Sequence, residues 1–341
     1  MLDLIIRKIK LFYSSCSEFD FLFDKIANSD LYCGLVKNKI SFQKNKDKKG
    51  LFNLAIETSS ICNAACLMCP HQSMVRSKKI MDDQIFDKVI KRLKKEDIPI
   101  NKIFLSGMGE PLADGKIIER IKALKKMGYL VKLYTNASLL TKAVSEKLVR
   151  LGLNEANISF NAASKKQYLK VMGLNFSQVV KNIENLTRAK KRIGSDLPKI
   201  RISLIAIKDN ERDIDRFVKK WSGLVDSVTV SKPHEWGGKV KIVSDHEFKK
   251  QGITYPCRSL WHTVVIDSSG NFVICCRDYE SKLKLGNIMT NSFGDIFKSP
   301  ILKRFRQLHL EFKKEKLPQI CQGCNFPYQN GVEWFMPRSL D

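Results

Sequence analysis

Between residues 51 and 232, six short apolar runs rich in β-branched and aromatic residues alternate with amphipathic stretches. The runs fall at Leu51–Thr58, Lys102–Gly107, Leu130–Thr135, Ala156–Asn161, Ile200–Ile207 and Ser227–Ser231. Helical periodicity fills the gaps around 81–97, 114–128, 141–151, 165–193 and 211–222. A strand followed by a helix, repeated in this way, requires right-handed crossovers and a parallel sheet. The class is α/β. Curled, such a sheet is a partial barrel; flat, it is doubly wound. In both cases the working site belongs at the carboxyl ends of the strands.

A different texture follows. The turn-rich segment Ser231-Lys-Pro-His-Glu-Trp-Gly-Gly-Lys239 opens a linker at 233–256. A smaller unit at 257–341 then begins with strands around Trp261–Asp267 and Phe272–Cys276, joined by the turn Ser268-Ser-Gly-Asn271. A helix is expected from Ser292 to Phe312. Ahead of the repeat, residues 1–50 read as short helical pieces and a polar linker, with Leu2, Ile5, Ile6 and Ile9 on one helical face.

At 341 residues and 43% hydrophobic, the chain can build a large core without disulfides. No apolar run is long enough to span a membrane, and the first 20 residues lack a secretory cleavage site, so a cytoplasmic location is expected. The formal charge of +25 favours acidic partners. Because Lys far outnumbers Arg and the excess is spread along the chain, nucleic acid is not the expected one.

Ten cysteines in a reducing compartment point to metal or redox chemistry. Cys62, Cys66 and Cys69 follow the first strand as Cys-x3-Cys-x2-Cys. Three thiolates on one short loop can hold three irons of a [4Fe–4S] cube, which leaves the fourth iron for another ligand. Zinc and inert buried thiols are the alternatives, but zinc sites favour two separated Cys-x2-Cys pairs. A second set runs Cys257-x12-Gly270-x4-Cys275 and closes with Cys321-x2-Cys324. Its four thiolates suit an iron–sulfur cluster or a zinc ribbon equally well. Cys276 competes with Cys275, whereas Cys16 and Cys33 match no pattern.

The first set, placed after strand one of a βα series, resembles the radical SAM superfamily. That resemblance implies a partial (β/α)6 TIM-like barrel. It also implies a cluster whose open iron takes S-adenosylmethionine and cleaves it to a 5′-deoxyadenosyl radical. Gly107, Gly109, Glu110 and Pro111, in Ser106-Gly-Met-Gly-Glu-Pro111, resemble the family segment that accepts the methionyl ammonium. By the same resemblance Asn136, Ser159 and Asn161 face the cofactor's ribose and carboxylate, although the family often has Asp where Asn161 stands. A segment for the adenine is not found. Arg201 and Ser203 carry no motif.

The second set, with Trp236-Gly-Gly238 and Leu285-Gly-Asn-Ile288, resembles the SPASM/twitch extension of these enzymes. The absence of cysteines after Cys324 suits the twitch form, an α+β unit with one auxiliary [4Fe–4S] cluster on Cys257, Cys275, Cys321 and Cys324. Asp278, close after Cys275, is the candidate base. The expected activity is hydrogen abstraction from a small polar, sugar-like substrate. The auxiliary cluster would act as electron acceptor, and an acidic flavodoxin or ferredoxin as donor. A peptide maturase, a redox-neutral radical enzyme and a zinc-containing RNA-binding protein are the alternatives.

Overall fold

The computed structural model describes residues 52–231, 233–238, 240, 257, 259–311 and 314–324. The expected N-terminal helices, Cys16, Cys33 and most of the 233–256 linker lie outside these residues. All six expected strands form: β1 (Phe52–Ile56), β2 (Ile100–Leu105), β3 (Val131–Thr135), β4 (Glu155–Ser159), β5 (Lys199–Ile205) and β6 (Ser227–Ser231). Each pairs in parallel with the next. Helices α1 (Asp83–Lys95), α2 (Ile117–Lys126), α3 (Lys142–Arg150), α4 (Lys165–Met172), α5 (Phe176–Ile193) and α6 (Ile214–Trp221) supply the crossovers.

Residue alternation along the strands sorts the two faces of the sheet. Leu54, Ile56, Ile103, Leu105, Val131, Leu133, Ile158 and Ile202 are fully buried and pack into the main core with Val89, Ile121, Leu148 and Ile183 from the helices. Burying each such side chain contributes about 1.5–3 kcal/mol before the entropy of ordering it. The neighbouring positions Ala55, Phe104, Tyr134, Asn157, Arg201 and Ser203 therefore line the other, concave face.

The smaller unit is joined directly to this sheet. Strand β7 (Thr263–Ile266), entered through the single helical turn α7 (Ser259–His262), pairs in parallel with β1. Strands β8 (Asn271–Val273) and β9 (Lys284–Asn287) continue antiparallel. The sheet runs β6-β5-β4-β3-β2-β1-β7-β8-β9 and does not close, as a partial barrel requires.

Three expectations change in detail. The 165–193 stretch is two helices, because Gly173 takes a left-handed φ of 67° and Asn175 caps the next helix. The 292–312 stretch breaks into α8 (Phe293–Lys298) and α9 (Pro300–Leu310), since Pro300 cannot donate into a continuing helix. Trp261 lies in α7 rather than in a strand. A further short helix, α10 (Gln319–Gln322), carries Cys321.

Candidate active site

The loop after β1 carries the three thiols and is held from two sides. Ala65 N–H donates to Met172 O at 3.0 Å and Leu67 N–H to Val171 O at 3.0 Å, which ties the loop to the end of α4. The Cys66 thiol lies 3.5 Å from Met172 Sδ, and Asn161 Nδ2 donates to that same sulfur at 3.0 Å. Asn161 Oδ1 accepts from Ile205 N–H at 2.8 Å. Both ends of the Asn161 side chain are thus engaged by the chain itself, in support of the cysteine loop.

Beneath the loop sits a buried ion pair that the sequence did not announce. Glu57, at the end of β1, accepts from both terminal nitrogens of Arg76, at 2.9 and 2.8 Å. It also accepts from Met108 N–H at 2.8 Å and Ser268 N–H at 3.1 Å. Arg76 Nε donates onward to Tyr279 O, and the Glu280 carboxylate takes the amides of Val75 and Arg76 at 3.0 Å each. One salt bridge therefore fastens β1, the loop after β2, and the loop after β8.

Gly107 and Gly109 are explained by that packing. A Cβ on Gly107 would meet Glu57 Cγ at 2.3 Å, and one on Gly109 would meet Ser59 O at 2.3 Å. Only glycine lets the segment lie this close to the cysteine loop. The approach delivers Glu110, which is 2% exposed. Its carboxylate accepts from Thr135 Oγ1 at 2.6 Å, Asn136 N–H at 2.7 Å and Leu112 N–H at 3.0 Å. Burial raises its pKa despite these donors. Pro111, also buried, opens the short turn that Glu110 caps.

Asn136 reaches from the end of β3 toward the same loop. Its Nδ2 donates to Asn63 Oδ1 at 3.0 Å and lies 4.0 Å from Cys62 Sγ. The next residue, Ala137, holds a left-handed φ of 58°, an unfavourable backbone for alanine. Asn182 from α5 holds it there through its carbonyl, at 2.9 Å. Ser159 sits at the carboxyl end of β4, opposite Ser203.

The second set of thiols also comes together. Cys257 and Cys275 pack on Leu260, Ile274 and Leu302. His309 Nδ1 accepts the Cys257 amide at 3.3 Å. Burial pushes His309 down to about 4, so the ring is neutral at pH 7. Sequence spacing could not find this contact, because 52 residues separate the partners. Cys276 is exposed, whereas Cys275 is not.

Asp278, the candidate base, is held by the turn that follows it. It is 5% exposed, and its two oxygens accept the Lys282 and Leu283 amides at 3.0 and 2.7 Å. It holds a tight turn in which Ser281 has a φ of 53°. The carboxylate borders a cavity of about 220 Å³ shared with Trp236, Tyr279, Glu280 and Ile320.

Both thiol sets have the chemistry of cluster ligands. Burial raises Cys62 and Cys66 and lifts Cys69 to about 11; the Glu110 charge adds to Cys62, and neighbouring thiolates add to Cys66 and Cys69. In the second set burial lifts Cys257 to about 11 and Cys321 to about 12, with mutual charge adding to both, and Cys275 follows the same pattern. Such thiols ionise only against a cationic core. Glu110, buried with no Lys or Arg paired to it among the described residues, is likewise suited to a ligand ammonium.

Residues 56–220 match the radical SAM superfamily model, and residues 257–325 match that of an iron–sulfur cluster-binding domain, SPASM. The chain belongs to the radical SAM superfamily. As a member it binds a [4Fe–4S] cluster and S-adenosylmethionine, with an auxiliary iron–sulfur cluster in its SPASM region. It is 26% identical over 180 residues to a Pyrococcus furiosus protein that modifies the cofactor of a tungsten-containing aldehyde ferredoxin oxidoreductase, covering 52% of this chain and 50% of that one. It is 27% identical over 170 residues to a probable GTP 3′,8-cyclase of Saccharolobus islandicus, covering 50% and 52%. The chain thus spans about half the length of these curated relatives.

Two solved structures share the fold. BtrN, in complex with S-adenosylmethionine and 2-DOIA, superposes with a TM-score of 0.54 at 18% identity, covering 81% of this chain and 93% of that one. Streptococcus suis SuiB, bound to its precursor peptide SuiA, gives 0.64 at 16% identity, covering 84% and 79%. Among the described residues no helix is long and apolar enough to cross a membrane.

Proposed function

We propose that this radical SAM enzyme oxidises a small polar, sugar-like substrate, with the cluster at Cys62, Cys66 and Cys69 starting the reaction and the one at Cys257, Cys275, Cys321 and Cys324 accepting an electron. When bound, the first cluster and S-adenosylmethionine supply a 5′-deoxyadenosyl radical that takes a hydrogen atom from a substrate carbon. The substrate then gives up a hydroxyl proton and one electron, becoming a carbonyl compound. An acidic flavodoxin or ferredoxin in the cytoplasm would suit the positive chain as the initial donor.

One observation carries the reading: the two thiol sets are joined by a compact aromatic and thioether bridge. Cys69 and Trp236 pack with Met74, Met108 and Tyr279. The Trp236 indole N–H donates to Met68 O at 2.9 Å, within the first cysteine loop. The adjoining Gly237, at a φ of 69°, lies against Ile320, the neighbour of Cys321. A short packed path of this kind suits an electron acceptor better than an isolated structural metal.

In this reading Glu110 receives the methionyl ammonium as a charge-assisted pair. Asn136 and Ser159 face the rest of the cofactor, Asn161 steadies Met172 behind Cys66, and Asp278 shapes the cavity wall. The test is anaerobic reconstitution with analysis of metal and products. About eight irons and eight sulfides per chain, with 5′-deoxyadenosine and a carbonyl product from a polyol or amino-sugar panel, are expected. A product formed only from a short peptide would move the assignment to peptide maturation. About two zincs without sulfide would replace it with a binding module.

A further inference from the structure

The concave face of the sheet holds a polar row that the core does not use. Tyr134, Asn157 and Arg201 stand side by side on β3, β4 and β5, in register. They lie two residues before Asn136, Ser159 and Ser203 on the same strands. Below them Lys132 pairs with Glu155 Oε2 at 2.6 Å. Arg201 Nε approaches Glu155 Oε1 only to 3.7 Å, and neither of these buried atoms has a hydrogen-bond partner. The Arg201 side chain remains 37% exposed.

This cluster is unbalanced in charge and in hydrogen bonding. Two cations, Lys132 and Arg201, flank the one carboxylate of Glu155. A half-satisfied buried polar network costs stability unless a ligand completes it. The other side of the concave face is apolar, where Ala55, Val265 and Val273 pack with Phe104. Phe104 meets Tyr134 edge-on at 6.0 Å. An apolar patch thus adjoins a cationic one on the same face, the arrangement that orients a small molecule by a single charged end.

We propose that Arg201 is the anchor for an anionic oxygen group, a carboxylate or a phosphoryl group, on the substrate, with Tyr134 and Asn157 beside it. The planar guanidinium presents several donors that match such a group bidentately. The inference rests on the oxidative reading above and narrows it to an acid-bearing substrate.

The test is a titration of cluster-loaded enzyme with inorganic phosphate and, in parallel, acetate, at fixed ionic strength. Saturable binding of one equivalent is expected, and the tighter of the two anions names the group. Arg201→Gln should weaken binding at least tenfold, and Arg201→Lys less. Lys166→Gln, which removes the same charge from an exposed helical position, should leave binding within twofold. The affinity for S-adenosylmethionine should change less than twofold in Arg201→Gln. Equal anion binding by wild type and Arg201→Gln, absence of saturable binding, or a tenfold loss of S-adenosylmethionine affinity in that variant would each overturn the proposal. The titration reads neither radical formation nor product. A protein that makes no 5′-deoxyadenosine yet binds phosphate through Arg201 would sink the oxidative reading and leave the anion site standing.

Discussion

The two thiol sets are assembled on opposite structural terms. Cys62, Cys66 and Cys69 share one loop, and their spacing alone defines a three-cornered mount. Cys257, Cys275, Cys321 and Cys324 come from three separated places and meet only because β7 joins the barrel sheet beside β1. A local motif tolerates distant change as long as its loop is pinned. A set assembled by topology depends on the sheet edge, on His309 and on α10. Under the proposed function the difference also divides the roles: three ligands would leave a corner for a cofactor, whereas four would saturate a cluster and leave it to exchange electrons.

Substitutions can break this contrast, and the largest effect belongs to the first set. Cys62→Ala, Cys66→Ala or Cys69→Ala should reduce 5′-deoxyadenosine formation to background in reconstituted enzyme, measured by chromatography. Persistent formation would remove the first set from cofactor cleavage. Cys321→Ala should separate the two roles: 5′-deoxyadenosine still forms, while oxidised product is lost. Normal product from that variant would deny the second set its role as acceptor.

A third variant attacks the joint between the regions. Arg76→Met leaves Glu57 buried without its partner, in a pair whose side chains are only 14% and 4% exposed. Breaking such a pair costs about 3–5 kcal/mol. Denaturant unfolding of the unloaded protein should show that loss, and a cost under about 1 kcal/mol would mean the bridge is dispensable. A smaller effect is expected for Trp236→Phe, which keeps a ring but strands the Met68 carbonyl. Product formed per 5′-deoxyadenosine should fall several-fold. An unchanged ratio would take Trp236 out of the coupling between the sets.

Sequence alone disclosed the parts whose physics is local. The six strands, the Cys-x3-Cys-x2-Cys loop and the turn between β7 and β8 each follow from spacing within a few residues. The remainder depended on contacts far apart in the chain. Nothing near Glu57 announces that Arg76 and Ser268 will meet it, and nothing near His309 points to Cys257. Gly107 stands out in the sequence as part of a glycine-rich segment, but only the structure puts Glu57 against it. Asp278 reads as a candidate base in the sequence because the spacing does not reveal that the amides four and five residues ahead occupy its carboxylate. Arg201, one alternating polar residue in a strand, gained meaning only once Glu155 and Tyr134 stood beside it.

Electron paramagnetic resonance of anaerobically reconstituted, dithionite-reduced enzyme, recorded with and without S-adenosylmethionine, tests the central claim most directly. Two overlapping [4Fe–4S] signals are expected, of which one shifts on adding the cofactor and disappears in Cys66→Ala. A colourless protein without either signal, or a cofactor-sensitive signal that survives in Cys66→Ala, would contradict it.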